Sequence, residues 1–273
     1  ADRVGAAVKN NEGEWVLLNG NQTALMFVYY LIIRWKELGK INGKEYIVKT
    51  IVTTETIKTI AERNGVEMYD VYTGFKWIAN VMRENEGKKN YIGGGEESYG
   101  FLCEDFVRDK DAVSACVILA EIAAWAKDQG LSLYQLLQKI YVEYGFSKEK
   151  GISVVKKGKS GAEEIEAMMK KFRENPLTEI AGSKVTYFYD YSTLKGKDYA
   201  ENETVTLDMP TTSNVLQYFT EDNTKVSIRP SGTEPKIKFY CEVHSKVKSI
   251  DELPEAEKAA EEKINQIKAS LGI

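Results

Sequence analysis

Residues 1–145 alternate two periodicities. Short β-branched or aromatic runs are followed by stretches in which apolar residues return every three or four positions, the pattern of an α/β layer. Val4–Val8 is a short apolar run ending in the turn-like Asn10-Asn11-Glu12-Gly13, and Gln22–Leu38 is a strongly apolar helix closed by Gly39. Tyr46–Val52 reads as a buried strand, and Thr53 or Thr54 is placed to cap the helix carrying Ile57, Ile60 and Ala61, which Gly65 ends. Val66–Tyr72 is the next strand, Phe75–Arg83 a helix, and Tyr91-Ile92 runs into Gly93-Gly94-Gly95. Asp111–Lys127 and Leu133–Tyr144 are helices separated by Gln129-Gly130.

The texture changes at Gly145–Gly161, where lysines crowd a domain junction and the first strand of a second unit. Ser160-Gly161-Ala162-Glu163 has the spelling of a capping box, opening a helix with Ile165, Met168, Met169 and Phe172 on one face and stopped by Pro176. Strands are expected at Lys184–Tyr189, Asn214–Thr220, Lys225–Ile228 and Lys236–Val243, the last alternating apolar and polar with period two. A final helix carries Ala256, Ala260, Ile264, Ile267 and Leu271 on one face. The expectation is two domains: an α/β domain over residues 1–145 and an α+β domain, an antiparallel sheet with helices on one side, over residues 146–273.

Composition narrows the chemistry. The 273 residues are 43% hydrophobic and 29% charged with a net charge of −4, ordinary for a folded chain and unlike a nucleic-acid binder with a broad basic face. The apolar stretches Ala24–Ile33 and Ala112–Ala126 are too short to span a bilayer, which takes about 20 apolar residues. Cys103, Cys116 and Cys241 form no CxxC pair, which disfavours a zinc cluster or disulfide framework, and His244 stands alone, which excludes two-imidazole chemistry. Unpaired cysteines fit a cytoplasmic protein. The chain opens on Ala1-Asp2-Arg3 and not on Met.

Three loops carry candidate chemistry. Arg229-Pro230-Ser231-Gly232-Thr233-Glu234-Pro235 lies between two strands, with a two-pronged cation, two hydroxyls and a glycine that exposes backbone N–H groups, the ingredients of an oxyanion site. The same residues also make a plain hairpin turn. Gly93–Gly100, spelled Gly-Gly-Gly-Glu-Glu-Ser-Tyr-Gly, sits at the end of a strand, where α/β sheets bind ligands, with carboxylates and a hydroxyl suited to vicinal sugar hydroxyls. It lacks the Gly-Lys-Ser/Thr ending of a nucleotide loop, which disfavours a kinase. Arg108-Asp109-Lys110-Asp111 precedes a helix that Asp109 or Asp111 can cap, leaving Lys110 free to enter a site. Thr73-Gly74-Phe75-Lys76 stands equivalently after a strand.

Together and in this order these stretches, with Leu18-Asn19-Gly20-Asn21-Gln22, resemble the α-D-phosphohexomutases, the phosphoglucomutase and phosphomannomutase family. The resemblance runs over essentially the whole chain and implies the third and fourth domains of a four-domain enzyme, the fourth like the TATA-box-binding-protein fold. It implies that Glu96 and Ser98 hold sugar hydroxyls, that Thr73 and Gly74 line the sugar site, and that Arg229, Ser231, Gly232 and Thr233 grip the non-reacting phosphate. Lys110 is implied as an active-site cation or proton-transfer group. Asp2-Arg3 is similar to the end of the family's Asp-x-Asp-x-Asp-Arg metal loop, making Asp2 the last of three Mg²⁺ carboxylates. The phosphoserine loop and the first two aspartates are not in this sequence, so the expectation is a chain that binds hexose phosphate, glucose 1-phosphate or 6-phosphate before mannose or pentose phosphates, needs the missing N-terminal domains, and is inactive alone. The competing expectation is a sugar-phosphate-binding module without catalysis.

Overall fold

The computed structural model describes every residue except Lys157 and Thr233, and all but the side chain of Lys159. It divides into two compact units, residues 1–146 with 246–253, and residues 147–245 with 254–273.

The first unit opens with a hairpin of β1 (Ala6–Lys9) and β2 (Trp15–Leu18), antiparallel. Asn10 makes the turn: its Oδ1 accepts from the Glu12 and Glu14 N–H groups at 3.1 and 2.8 Å. Helix α1 (Gly20–Glu37) starts two residues before the apolar pattern does. Asn19 caps it in a capping box with Gln22, each side chain taking the other's backbone N–H at 2.9 Å. Residues 24–32 of α1 are all buried, which explains their apolar character on every side of the helix.

Next come β3 (Glu45–Thr50), α2 (Thr56–Arg63), β4 (Glu67–Val71), α3 (Phe75–Asn85), β5 (Asn90–Gly95) and β6 (Phe101–Cys103). The sheet order is β4-β3-β5-β6, with β3 parallel to both β4 and β5 and β6 antiparallel at the edge. Tyr46, Val48, Val71, Phe75, Ile78, Met82, Tyr91 and Leu102 form one core beneath α3. Helices α4 (Ala112–Asp128) and α5 (Leu133–Tyr144) complete the unit, α4 capped by Asp111 through the Ser114 N–H at 2.8 Å and α5 by Ser132 in a second capping box.

The parallel arrangement puts three loops at one edge of the sheet, at the carboxyl ends of β3, β4 and β5. Glu55 precedes α2 in helical conformation and makes no side-chain capping bond, while Thr54 Oγ1 accepts the N–H of Thr56, the first residue of the helix, at 3.4 Å. Both threonines also tie this edge together: Thr54 through its N–H to Asn21 Oδ1 and Thr53 through its hydroxyl to the Glu97 N–H.

In the second unit, β7 (Phe146–Val155) leads into α6 (Gly158–Glu174), then β8 (Glu179–Ile180), β9 (Ser183–Asp190), β10 (Lys195–Asp198), β11 (Glu203–Thr206), β12 (Leu216–Thr220), β13 (Lys225–Pro230), β14 (Lys236–Ser245) and α7 (Leu253–Leu271). The main sheet runs β11-β10-β9-β12-β13-β14-β7, with β8 paired to β9. On β14, Ile237, Phe239, Cys241 and Val243 are buried on the helix side, where Phe239 meets Phe172 of α6 edge-on at 6.3 Å. Ala260, Ile264, Ile267 and Leu271 of α7 are buried too. Ser160 does not cap α6, which has already begun at Gly158. The neighbouring Gly161 is a packing residue, since a Cβ there would sit 2.5 Å from the Lys156 carbonyl. Strands β10 and β11 escaped the sequence pattern because their residues are mostly polar and weakly buried.

Candidate functional site

In the first unit the carboxyl edge of the sheet gathers Asp2, Gly74, Glu96 and Lys110. β5 and β6 are joined by a hairpin, residues 96–100, closed by the Glu96 N–H donating to Gly100 O at 2.8 Å. Glu96 is buried, and its Oε1 accepts from the Gly74 N–H at 2.8 Å. Gly74 itself has φ +109°, a conformation L side chains rarely adopt, so the turn into α3 requires glycine and presents its N–H to that carboxylate. Thr73 beside it and Ser98 in the hairpin are half-buried.

Lys110 lies across the hairpin. A Cβ on Gly100 would meet Lys110 Cδ at 2.2 Å and Glu96 Oε2 at 3.3 Å, so the missing side chain is the space the lysine stem occupies. Its Nζ stands 5.3 Å above the Phe75 ring, 3.0 Å from Asp109 Oδ1 and 3.6 Å from Asp2 Oδ2. The hydrogen bond from Lys110 holds the Asp109 carboxyl below its ordinary range. The segment around Asp2 runs along the same hairpin, with the Val4 N–H donating to Tyr99 O at 3.1 Å.

The triple glycine serves packing. Cβ atoms would strike Leu31 of α1 at 3.0 Å from Gly93, the Val48 carbonyl at 2.3 Å from Gly94 and the Gly100 carbonyl at 2.5 Å from Gly95. The adjacent acids diverge. Glu96 turns to Gly74, whereas Glu97 Oε2 accepts from Thr50 Oγ1 at 3.3 Å and its N–H donates to Thr53 Oγ1 at 3.2 Å. The start of α1 closes the far side. Asn21 Oδ1 accepts from the Thr54 N–H at 3.0 Å, and Gly20 packs so tightly that a Cβ would lie 1.9 Å from Glu97 O.

One participant is absent from the sequence expectations. Lys49, 1% exposed in the middle of the sheet, reaches Asp70 Oδ1 at 2.6 Å, Glu55 Oε1 at 2.9 Å and the Thr53 carbonyl at 3.4 Å. Its signal was a lone cation inside the β-branched run 46–52, with carboxylates six and 21 positions downstream.

In the second unit, Arg229 and Pro230 end β13, and Ser231 and Gly232 begin the turn to β14; Thr233 lies outside the described residues. The Ser231 N–H donates to Lys236 O at 2.8 Å, closing the hairpin. Gly232 has an ordinary φ and nothing within 4 Å of where a Cβ would be, so no fold requirement accounts for glycine, and its backbone lies open. A cleft of about 600 Å³ runs between this turn and α6, with Ser231 and Lys236 on one wall and Met169 and Arg173 on the other. Arg173 is anchored to Asp190 Oδ2 at 3.0 Å and Asn214 Oδ1 at 2.8 Å.

Burial pushes the thiols of Cys103 and Cys241 up to about 12, which removes them as nucleophiles. Asp2 offers one carboxylate with Arg3 3.9 Å away and Lys110 3.6 Å away. Among the described residues no three His, Cys, Asp or Glu lie where they could hold a metal ion. Mg²⁺ takes six oxygen ligands in near-octahedral geometry, so the described donors do not fit a Mg²⁺ site. No helix among the described residues is long and apolar enough to cross a membrane.

The two units each match a family model: residues 19–144 match phosphoglucomutase/phosphomannomutase, alpha/beta/alpha domain III, and residues 153–260 match phosphoglucomutase/phosphomannomutase, C-terminal domain. A phosphoglucomutase of Staphylococcus aureus is 38% identical over 240 residues, 88% of this chain and 42% of that protein. A phosphoglucomutase of Staphylococcus haemolyticus is 33% identical over 243 residues, 89% of this chain and 43% of that protein. The chain thus spans less than half the length of these relatives. Among solved structures, the open form of the phosphoglucomutase parafusin from Paramecium superposes with a TM-score of 0.59 at 17% identity, over 97% of this chain and 44% of that one.

Proposed function

This chain belongs to the phosphoglucomutase/phosphomannomutase family, as its domain III and C-terminal domain, and we propose that it is the substrate-gripping half of a phosphohexomutase. In this reading the whole enzyme interconverts hexose 1-phosphate and 6-phosphate. A phosphoserine outside this chain gives its phosphoryl group to the sugar phosphate, the bisphosphate reorients, and the other phosphoryl group returns to the serine. Catalysis of this kind is positioning and charge neutralisation. The observation that carries the reading is the constellation at the carboxyl edge of the first sheet, Glu96 on the Gly74 N–H with Lys110 laid over Gly100.

Each group has a task. Glu96 and Ser98 accept and donate to sugar hydroxyls, and Thr73 and Gly74 line that site. Arg229, Ser231, Gly232 and Thr233 hold the phosphate that is not being transferred. Lys110 supplies positive charge, or a proton, to the oxygen that gains or loses the phosphoryl group. No step runs through Mg²⁺, because the donors among the described residues do not fit its site. Glucose phosphate is the favoured substrate because the relatives that cover this chain are named phosphoglucomutases.

Calorimetric titration of glucose 6-phosphate tests the grip. Arg229→Ala removes a charged donor that contributes about 1.5–3 kcal/mol, so the dissociation constant rises roughly 10- to 150-fold. Equal, measurable binding by both proteins contradicts the phosphate-loop assignment. A coupled assay with glucose 1-phosphate is expected to give no net conversion by this chain, and robust turnover would overturn the placement of the nucleophile outside it.

A further inference from the structure

We propose that Lys49 is a positioning residue for the sugar loop, holding the Glu96–Ser98 turn in place through Thr53. The inference rests on the reading of that loop as the sugar site.

Burying an ammonium is unfavourable unless it is paired and hydrogen-bonded. Lys49 meets that condition through Asp70 on β4 and, in the loop between β3 and α2, through the Glu55 carboxylate and the Thr53 carbonyl. In the sheet register Lys49 stands directly between Asp70 on β4 and Gly95 on β5, the residue before Glu96. One charge therefore fixes the loop after β3 against the strand that leads into the loop after β4.

Thr53 passes that constraint on. Its carbonyl faces Lys49 at 3.4 Å, while its hydroxyl accepts the Glu97 N–H at 3.2 Å and lies 2.8 Å from Thr50 Oγ1. Thr50 in turn donates to Glu97 Oε2 at 3.3 Å. Glu97 is thus held at backbone and side chain, which sets the direction of Glu96 toward the Gly74 N–H. Lys49 does not need to touch a ligand: it sets where Glu96 and Ser98 stand.

Hydrogen exchange by NMR, with glucose 6-phosphate titration, tests this on the full chain. In Lys49→Met the Glu97 amide exchanges at least about tenfold faster relative to the amides inside β3 and β5, the mark of a local opening. The dissociation constant for glucose 6-phosphate rises about tenfold with it. In a Thr53→Val background, where the hydroxyl link from Thr53 to the Glu97 N–H is already cut, adding Lys49→Met changes that constant by less than about twofold, the non-additivity of residues acting in one chain. Should Lys49→Met fail to fold, Glu55→Gln leaves Lys49 paired with Asp70 and carries the same Glu97 signature at smaller amplitude. Unchanged Glu97 exchange in whichever variant folds, or a uniform rise across the whole sheet, overturns the proposal. Failure of the unsubstituted chain to bind glucose 6-phosphate sinks the sugar-site reading instead, and the amide comparison still decides the role of Lys49.

Discussion

Gly100→Ala separates the positioning of Lys110 from the stability of the fold. The added methyl would fall 2.2 Å from Lys110 Cδ and 3.1 Å from Cγ, far inside van der Waals contact, and 3.3 Å from Glu96 Oε2. Gly100 does not use a left-handed φ, so the backbone accepts alanine and the strain falls on the lysine stem. That stem is the flexible part of the contact. Driving it off its rotamer costs about 0.5–1.5 kcal/mol. The ion pair to Asp109, whose side chain is 73% exposed, adds no more than about 1 kcal/mol if it is lost. Restricting the unfolded chain returns about 0.4–1 kcal/mol. The net change in stability is about 1 kcal/mol, a shift of roughly 2–4 °C in Tm. Binding responds more. With Nζ displaced from the hairpin, one charge-assisted contact to substrate is lost, about 1.5–3 kcal/mol or roughly 10- to 150-fold in Kd. Gly20→Ala is the contrasting case, because its methyl would sit 1.9 Å from the Glu97 carbonyl oxygen and 2.8 Å from the Tyr99 nitrogen. Backbone cannot swing aside as a lysine can, and overpacking of this kind costs about 1–3 kcal/mol or more. Differential scanning calorimetry and calorimetric titration on the two variants give the answer. Equal falls in Tm, or a Gly100→Ala protein that binds glucose 6-phosphate as tightly as the unsubstituted chain, would refute the reasoning.

Other positions yield further tests. Gly232→Ala has open space and an ordinary backbone conformation, so thermal stability holds or rises by about 0.4–1 kcal/mol; phosphate affinity falls if ligand approaches that backbone, and unchanged affinity removes Gly232 from the site. Asn19→Ala deletes the α1 cap, lowering stability by about 0.5–2 kcal/mol, and a Tm unaffected by the change would show that tertiary packing alone holds that helix end. Burial pulls the His244 pKa down, but Glu242 at 2.8 Å outweighs it and the net shift is upward from 6.5, with Glu149 adding to it and Lys225 opposing. Burial pushes Glu242 up, but Lys225 at 2.8 Å and then His244 hold it far below 4.5. A raised histidine stabilises fully below its unfolded pKa and loses that contribution as pH rises through the folded value. A depressed carboxylate stabilises above its unfolded pKa and loses its contribution as pH falls through the folded value. Thermal scans therefore show Tm falling above pH 6.5 in the native chain, and a His244→Gln protein that keeps the same slope would assign it elsewhere.

What sequence could and could not show follows from how each feature is written along the chain. Period and propensity are local, so helices such as Leu133–Tyr144 and the alternating strand ending at Ser245 stand out. The polar strands Lys195–Asp198 and Glu203–Thr206 do not, because pairing at a sheet margin buries too little to impose alternation. Ser160 has the spelling of a cap but lies inside a helix that starts earlier, because a four-residue motif carries no information about which turn begins the element. The candidate site divides the same way. Residues expected to meet a ligand sit in contiguous loops, because a loop of a few residues must present several groups to one small molecule. Residues that hold those loops are scattered: Asn21, Lys49, Thr53, Glu55 and Asp70 share no period, and only the parallel register of β3 and β4 sets Lys49 beside Asp70. A lone lysine in a β-branched run is nevertheless informative once the strand is known to be buried on both faces. It cannot reach water there, so it must find carboxylates, and the strand ends are where the loops can supply them.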